Sequence, residues 1–215
     1  MDPIAIMANH AKTVSLVVSE SLIGGALVVL GTSLGWRLAT ARESMIVAVV
    51  RWWLDHVVRP LIEGRSWWRR TAIITGNNAL TCGAVVVLGF FGPIAWLAVI
   101  AVGLSLGVAL HLLTEKLPTP EKSDRPDPLD ARQRTARTAG LALNMLEIPA
   151  IMISAGLSLG QGAMEASVSP VQAWGAFAAV VLPLLLIAAA GEALWIGTHT
   201  SLLDRWRDSE RQQDP

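Results

Sequence analysis

Charged side chains are scarce in this chain. Asp, Glu, Lys and Arg make up 16% of its 215 residues against 53% hydrophobic, and the mean hydropathy is +0.49, whereas a soluble domain is about a quarter charged. That balance excludes an ordinary water-soluble exterior. Cysteine is scarcer still: Cys82 lies inside an apolar run and has no second cysteine to pair with, which excludes an intrachain disulfide. The residue patterns of soluble catalysis are missing too. No Gly-rich phosphate cradle or nucleotide signature occurs, no Ser, His and Asp set shows a nucleophile motif, and His10, His56, His111 and His199 stand at no metal-ligand spacing. The chain therefore reads as a non-enzyme with no catalytic residue, no metal site, no cofactor and no nucleic-acid partner.

What the sequence does have is apolar runs. A bilayer core of about 30 Å needs about 20 helical residues, and five stretches qualify, at 13–36, 71–91, 93–113, 138–164 and 171–203. They predict an all-α, polytopic membrane helix bundle over 1–215, a single membrane domain with about five transmembrane helices. The N-terminal stretch MDPIAIMANHAKTVSLVV has an acidic residue at position 2 and one lysine, with no small-residue cleavage site. The first run is accordingly expected to be a retained span rather than a signal peptide.

Five spans put the termini on opposite faces and divide the connections into two sets. The set made of 37–70, 114–137 and the tail after 203 holds sixteen of the seventeen basic residues, and the other holds only Lys12. Because cytoplasmic loops concentrate Lys and Arg, the expectation is a multi-pass protein of the cell membrane with its N-terminus outside and its C-terminus cytoplasmic. Trp36, Trp52, Trp53, Trp67, Trp68 and Trp206 lie in or beside the basic set, where an amphipathic ring prefers the headgroup level. Arg51, Asp55, Arg59 and Glu63 recur every four residues opposite an apolar side, so 42–59 reads as an amphipathic helix ended by Pro60 and Gly64. It either lies on the cytoplasmic surface or covers part of the bundle. Residues 115–136 combine four prolines with mixed charge and read as a solvated linker.

Polar groups inside the runs carry the most information, since hydrocarbon solvates them poorly. At about 1.5 Å per helical residue, Asn77 and Asn78 lie roughly 10–12 Å in from Arg70, Asn144 about 10 Å and Glu147 about 15 Å from Arg137, and Glu192 about 18 Å from Asp204. These groups belong to three spans but one layer, while Glu20 falls nearer the outside. Asn144 and Glu147 share a helical face, and Pro149 frees the carbonyl of Met145 from its helical bond, offering an acceptor beside Glu147. Two readings stay open. The group binds a cation, a proton or a ligand amine, or a protonated Glu147 bonded to Asn77 or Asn78 holds three helices in register.

Three similar pentapeptides occur: GTSLG at Gly31–Gly35, GLSLG at Gly103–Gly107 and GLSLG at Gly156–Gly160. Small residues four apart let helices approach closely. The same recurrence would suit an inverted-repeat transporter, although the rest of the spans do not align.

The segments LNMLEIPAIMISAGLSLGQGA and VLPLLLIAAAGEALWI resemble the closing half of the stage II sporulation protein M family, whose members carry Glu-Leu-Pro-Ala in one span and Ala-Ala-x-x-Glu in the last. Here the corresponding residues are Glu147-Ile148-Pro149-Ala150 and Ala189-Ala190-Gly191-Glu192. The family's paired asparagines resemble Asn77-Asn78, and its Asn-Gly-x-x-x-Gly resembles Val102-Gly103 through Gly107; Ala142-Leu143-Asn144 stands where relatives commonly have Pro-His-Gly. The resemblance spans roughly 70–200 and implies a multi-span bacterial membrane protein that works with cell-envelope partners. With it, the leading expectation is a non-enzymatic scaffold that docks membrane or envelope proteins or its own copies in the lipid bilayer. The alternative is a transporter, channel or lipid-handling protein using Glu147 and Glu192.

Overall fold

Apolar runs of this length can satisfy their backbone in hydrocarbon only by coiling on themselves. The structure, a computed structural model, describes residues 3–41, 44–62, 65–115, 131–162 and 168–211, and these contain helices and no strand. The helices are α1 (Pro3–Leu16), α2 (Val18–Thr40), α3 (Met45–Trp53), α4 (Arg59–Ile62), α5 (Trp67–Leu88), α6 (Pro93–Glu115), α7 (Ala131–Asn144), α8 (Glu147–Gly162), α9 (Pro170–Ala176) and α10 (Leu182–Arg211). Four helical segments are long and apolar enough to cross a membrane: Val18–Thr40, Trp67–Phe91, Pro93–Leu112 and Pro170–Ile196.

Several boundaries differ from expectation, each for a local reason. The first helix is interrupted at Val17, which is fully buried and leaves the helical region at φ −111°, ψ 21°. The apolar run expected at 13–36 is therefore split, and α2 runs on to Thr40. Helix α7 begins at Ala131, inside the segment expected to be linker, because Ala131-Arg132-Gln133-Arg134 are helix formers beyond the last proline, Pro128. Residues 116–130 of that segment lie outside the described residues. The run expected at 138–164 is two helices, of 14 and 16 residues, broken at Met145 and Leu146. Pro149 explains the break: its ring excludes the carbonyl four residues back, that of Met145, yet the third position of a new helix needs no N–H.

Prolines inside continuing helices are accommodated differently. Pro60 and Pro183 each follow a π turn, at Leu54–Val58 and Phe177–Val181. The wider turn changes which carbonyl faces the proline ring, so the helix continues. This corrects the expected stop at Pro60: helical structure extends to Ile62. Between α5 and α6 the chain reverses within a 3₁₀ turn and Gly92, whose φ of 58° favours glycine.

Packing is dominated by small residues. Gly31 and Gly35 of α2 lie against the backbone of Ile100, Gly103 and Leu104, while Gly103 and Gly107 of α6 lie against that of Val28 and Thr32. The first two pentapeptides thus face each other between parallel helices. Gly156 of the third lies against Ser21, and Gly24 and Gly25 of α2 meet Ala155 and Met152, so α8 runs antiparallel to α2. Gly160 is buried in the same stretch, in which every residue from Ser154 to Gly160 is buried. Leu157 joins α8 to a core that includes Val86, Phe177, Val181 and Leu185. The short α8 is accordingly the enclosed helix of the bundle.

Helix α3 starts at Ser44, whose side chain caps the N–H of Ile46 at 3.3 Å. It buries Val47 against Ala39, Val108 and Leu112, at the ends of α2 and α6. Met45, Val49 and Trp52 stay more than half exposed.

Two glycines test this packing. A methyl on Gly107 would overlap the Thr32 carbonyl, whereas nothing lies within 4 Å of the same position on Gly76. Thermal unfolding in detergent, followed by Trp fluorescence, should show Gly107→Ala destabilised by about 1–3 kcal/mol through overpacking. Gly76→Ala should be neutral or up to about 1 kcal/mol more stable. The reverse order would refute close α2–α6 contact.

Candidate functional site

The polar layer expected from depth counting is assembled by three helices. Asn77 and Asn78 sit in the middle of α5, Glu147 opens α8, and Glu192 lies on α10. The Asn78 Nδ2 donates to Glu147 Oε1 at 2.9 Å, and the Asn77 Nδ2 donates to Asn78 Oδ1 at 3.2 Å. The Asn78 amide is therefore engaged at both ends, as acceptor and donor, between α5 and α8. Thr81 Oγ1 donates to the Asn77 carbonyl at 3.0 Å, holding that turn of α5.

Glu147 owes its position to the break before it. As the first residue of α8 it sits at the positive end of the helix dipole, where a carboxylate is favoured. The Met145 carbonyl, expected to be free beside it, instead accepts from the Ile148 N–H at 3.3 Å. Pro149 thus places Glu147 and supplies no extra acceptor. Asn144 ends α7; its side chain lies outside the described residues. Glu192 stands within electrostatic range of Glu147, which brings the carboxylates of α8 and α10 into one layer. Nearby, the Trp67 indole donates to the Ala190 carbonyl at 3.2 Å, and Gly140 of α7 packs against the Gly191 carbonyl. Glu20 is apart from this group; its Oε2 accepts from the Ser19 hydroxyl at 2.7 Å at the start of α2.

Sequence reasoning missed the continuation of this layer along α5 and α8. Cys82 is in hydrogen-bonding reach of Ser154 and in electrostatic range of Glu147, and the Gln161 Nε2 donates to the Val86 and Leu157 carbonyls, both at 3.1 Å. The signal was present as spacing. Thr71, Thr75, Asn78 and Cys82 recur at four, three and four residues on α5, and Glu147, Ser154, Ser158 and Gln161 recur at seven, four and three on α8, each a single helical face.

The remaining polar candidates are dispersed. His56 Nδ1 lies 3.0 Å from the Trp52 carbonyl and stacks on that indole, His111 meets Trp36 edge-on at 5.1 Å, and His10 lies against Gly175. Among the described residues, no group of three or more His, Cys, Asp or Glu is arranged to hold a metal ion.

The Asn78–Glu147 bond makes a direct prediction. Glu147→Gln keeps an acceptor oxygen for Asn78, whereas Glu147→Leu leaves the half-buried Asn78 amide without its acceptor, at a cost of up to about 1–3 kcal/mol. Thermal unfolding in lipid nanodiscs should rank the native chain close to Glu147→Gln and both well above Glu147→Leu. Equal loss in the two variants would remove this bond from the account.

No protein-family model matches the chain, and neither the curated proteins nor the solved structures contain a match to it. What the site does therefore has to follow from its own residues.

Proposed function

We propose that the chain is a multi-pass integral membrane protein of the stage II sporulation protein M type, acting as a non-enzymatic scaffold that docks membrane or envelope proteins. Its five passes are α2, α5, α6, the broken α7–α8 pair and α9–α10, with the N-terminus outside and the C-terminus cytoplasmic. Alternation of direction between packed helices supports this path: α2 is parallel to α6, and α8 is antiparallel to α2. The excess of sixteen basic residues over one supports its orientation. The exposed Met45, Val49 and Trp52 of α3 suit a helix resting on the cytoplasmic leaflet.

The observation that carries the scaffold reading is the chain of hydrogen bonds from Asn77 through Asn78 to Glu147. It joins polar groups of two helices to one another inside the bundle, as a lock on helix register does. A rigid bundle with a fixed register presents fixed surfaces, which is what docking requires.

A second reading, transport or lipid handling through Glu147 and Glu192, is favoured by the approach of these two carboxylates from separate helices. Native mass spectrometry of the protein extracted gently from its own membrane separates the two. The scaffold reading expects a stoichiometric protein partner, or a second copy, retained on the chain. One small molecule or lipid class retained without any protein would overturn it in favour of the second.

A further inference from the structure

Arginine and tryptophan come as neighbours at one end of this bundle. Trp36-Arg37 sits near the end of α2, Arg51-Trp52 lies on α3 and Trp68-Arg69 opens α5, whereas Trp96, Trp174 and Trp195 have no basic residue beside them. The choice of cation is as selective. All seven basic residues of 37–70 are arginine, against three acidic residues in the same stretch, although the chain has three lysines elsewhere. A guanidinium presents a planar fork that meets a phosphate through two parallel hydrogen bonds, which an ammonium cannot do. An indole prefers the level at which headgroups meet acyl chains.

The structure turns these pairs outward and fixes what lies behind them. In the run Trp67-Trp68-Arg69-Arg70, the outer two residues share a helical face and point inward: the Trp67 indole donates to the Ala190 carbonyl, and the Arg70 Nε donates to the Ile62 carbonyl at 3.1 Å. The middle two are exposed, Trp68 by 72%. Helix α3 is held from behind in the same manner: Val47 packs on Ala39, Val108 and Leu112, while Arg51 and Trp52 are exposed, Trp52 by 57%. Trp36 and Arg37 are exposed on the α2 end that α3 packs against. Met45, Val49 and Trp52, spaced by four and three residues, give α3 an apolar outward stripe with Arg51 at its flank. Water solvates such a stripe poorly and hydrocarbon solvates Arg51 poorly, so the boundary between them suits both.

We propose that this end of the bundle is a binding surface for anionic phospholipid, in which Arg37, Arg51 and Arg69 each take a lipid phosphate while Trp36, Trp52 and Trp68 pack beside the glycerol and the upper acyl chain. The excess of arginine over carboxylate selects a lipid of net negative charge over a zwitterionic one, whose own ammonium group the arginines repel. An acidic protein would also answer the arginines. Two of the three pairs, however, stand at the ends of helices long and apolar enough to cross a membrane, where headgroups are, and the third borders a stripe that matches acyl chain. The proposal rests on the membrane reading above, and on neither the scaffold nor the choice of which face is cytoplasmic.

The full-length chain in vesicles of phosphatidylcholine and phosphatidylglycerol tests this, with bromine on the acyl chains of one lipid or the other as a short-range quencher of Trp fluorescence. The signal of Trp52 and Trp68 is the difference between the native chain and a Trp52→Phe, Trp68→Phe chain. That signal should show phosphatidylglycerol preferred about fivefold or more at equal mole fraction, the worth of one arginine near an anionic surface. An Arg37→Gln, Arg51→Gln, Arg69→Gln chain should lose the preference. Equal quenching by the two lipids in the native chain overturns the proposal, whether or not the variants fold, and so does a preference that survives the Gln substitutions. A signal that neither lipid quenches but aqueous iodide does, the result expected of a face reserved for an acidic protein, overturns it too. Quenching of the remaining tryptophans, Trp96 and Trp174 among them, reports whether the chain is inserted, so failure of the lipid preference stays distinct from failure of the membrane reading.

Discussion

A carboxylate inside an apolar bundle needs a partner, and meeting that need shapes much of what surrounds Glu147. An amide from a neighbouring helix is a suitable partner because it donates without bringing a second charge, and Asn78 does so at 2.9 Å while Asn77 occupies its other end. The bond can form only if α5 and α8 stand side by side at a fixed axial offset. That offset also aligns Cys82 with Ser154 and the Val86 carbonyl with Gln161, so one local requirement sets the register of a whole interface. Interhelical bonds in membranes are individually modest, averaging about 0.6 kcal/mol. Their influence lies in selecting one register among several of similar packing energy.

Close packing supplies the rest of the stabilisation, and glycine makes it possible. Helices that meet across Gly31, Gly35, Gly103 and Gly107 bring backbone against backbone, where a single methyl would overlap a carbonyl. In hydrocarbon, with no difference in solvation between lipid and leucine to drive association, such contact is a main source of attraction. Proline completes the pattern. Pro149 breaks an apolar run and creates the helix start at which Glu147 sits, while Pro60 and Pro183 are absorbed by π turns.

Much of the architecture was legible because hydropathy reports length directly and turn counting reports depth. Asn78 and Glu147 were brought to one layer from Arg70 and Arg137 alone, and the structure joins them through a hydrogen bond. Other features were not legible, for identifiable reasons. Hydropathy cannot distinguish one helix from two, so the sequence predicts a single run over 138–164 with a freed Met145 carbonyl where the structure has an interruption at Met145 and Leu146. The break at Val17 is set by tertiary burial rather than by a local breaker. Small hydroxyls disappear into an apolar average, so Ser154 and Ser158 drew no notice although their spacing from Glu147 was visible. A compositional reading of 115–136 gave its prolines priority over the helix formers from Ala131 onward.

The claim on which most rests is that Asn78 and Glu147 stabilise the bundle through each other. A double-mutant cycle measures this directly: unfolding free energies in a lipid bilayer for the native chain, Asn78→Leu, Glu147→Leu and the double variant. The account predicts a coupling energy of about 0.6–1.7 kcal/mol, the range of interhelical bonds in membranes, so that the double variant loses less than the sum of the singles. Losses that add without coupling would contradict it, and the register of α5 against α8 would then have to come from packing alone.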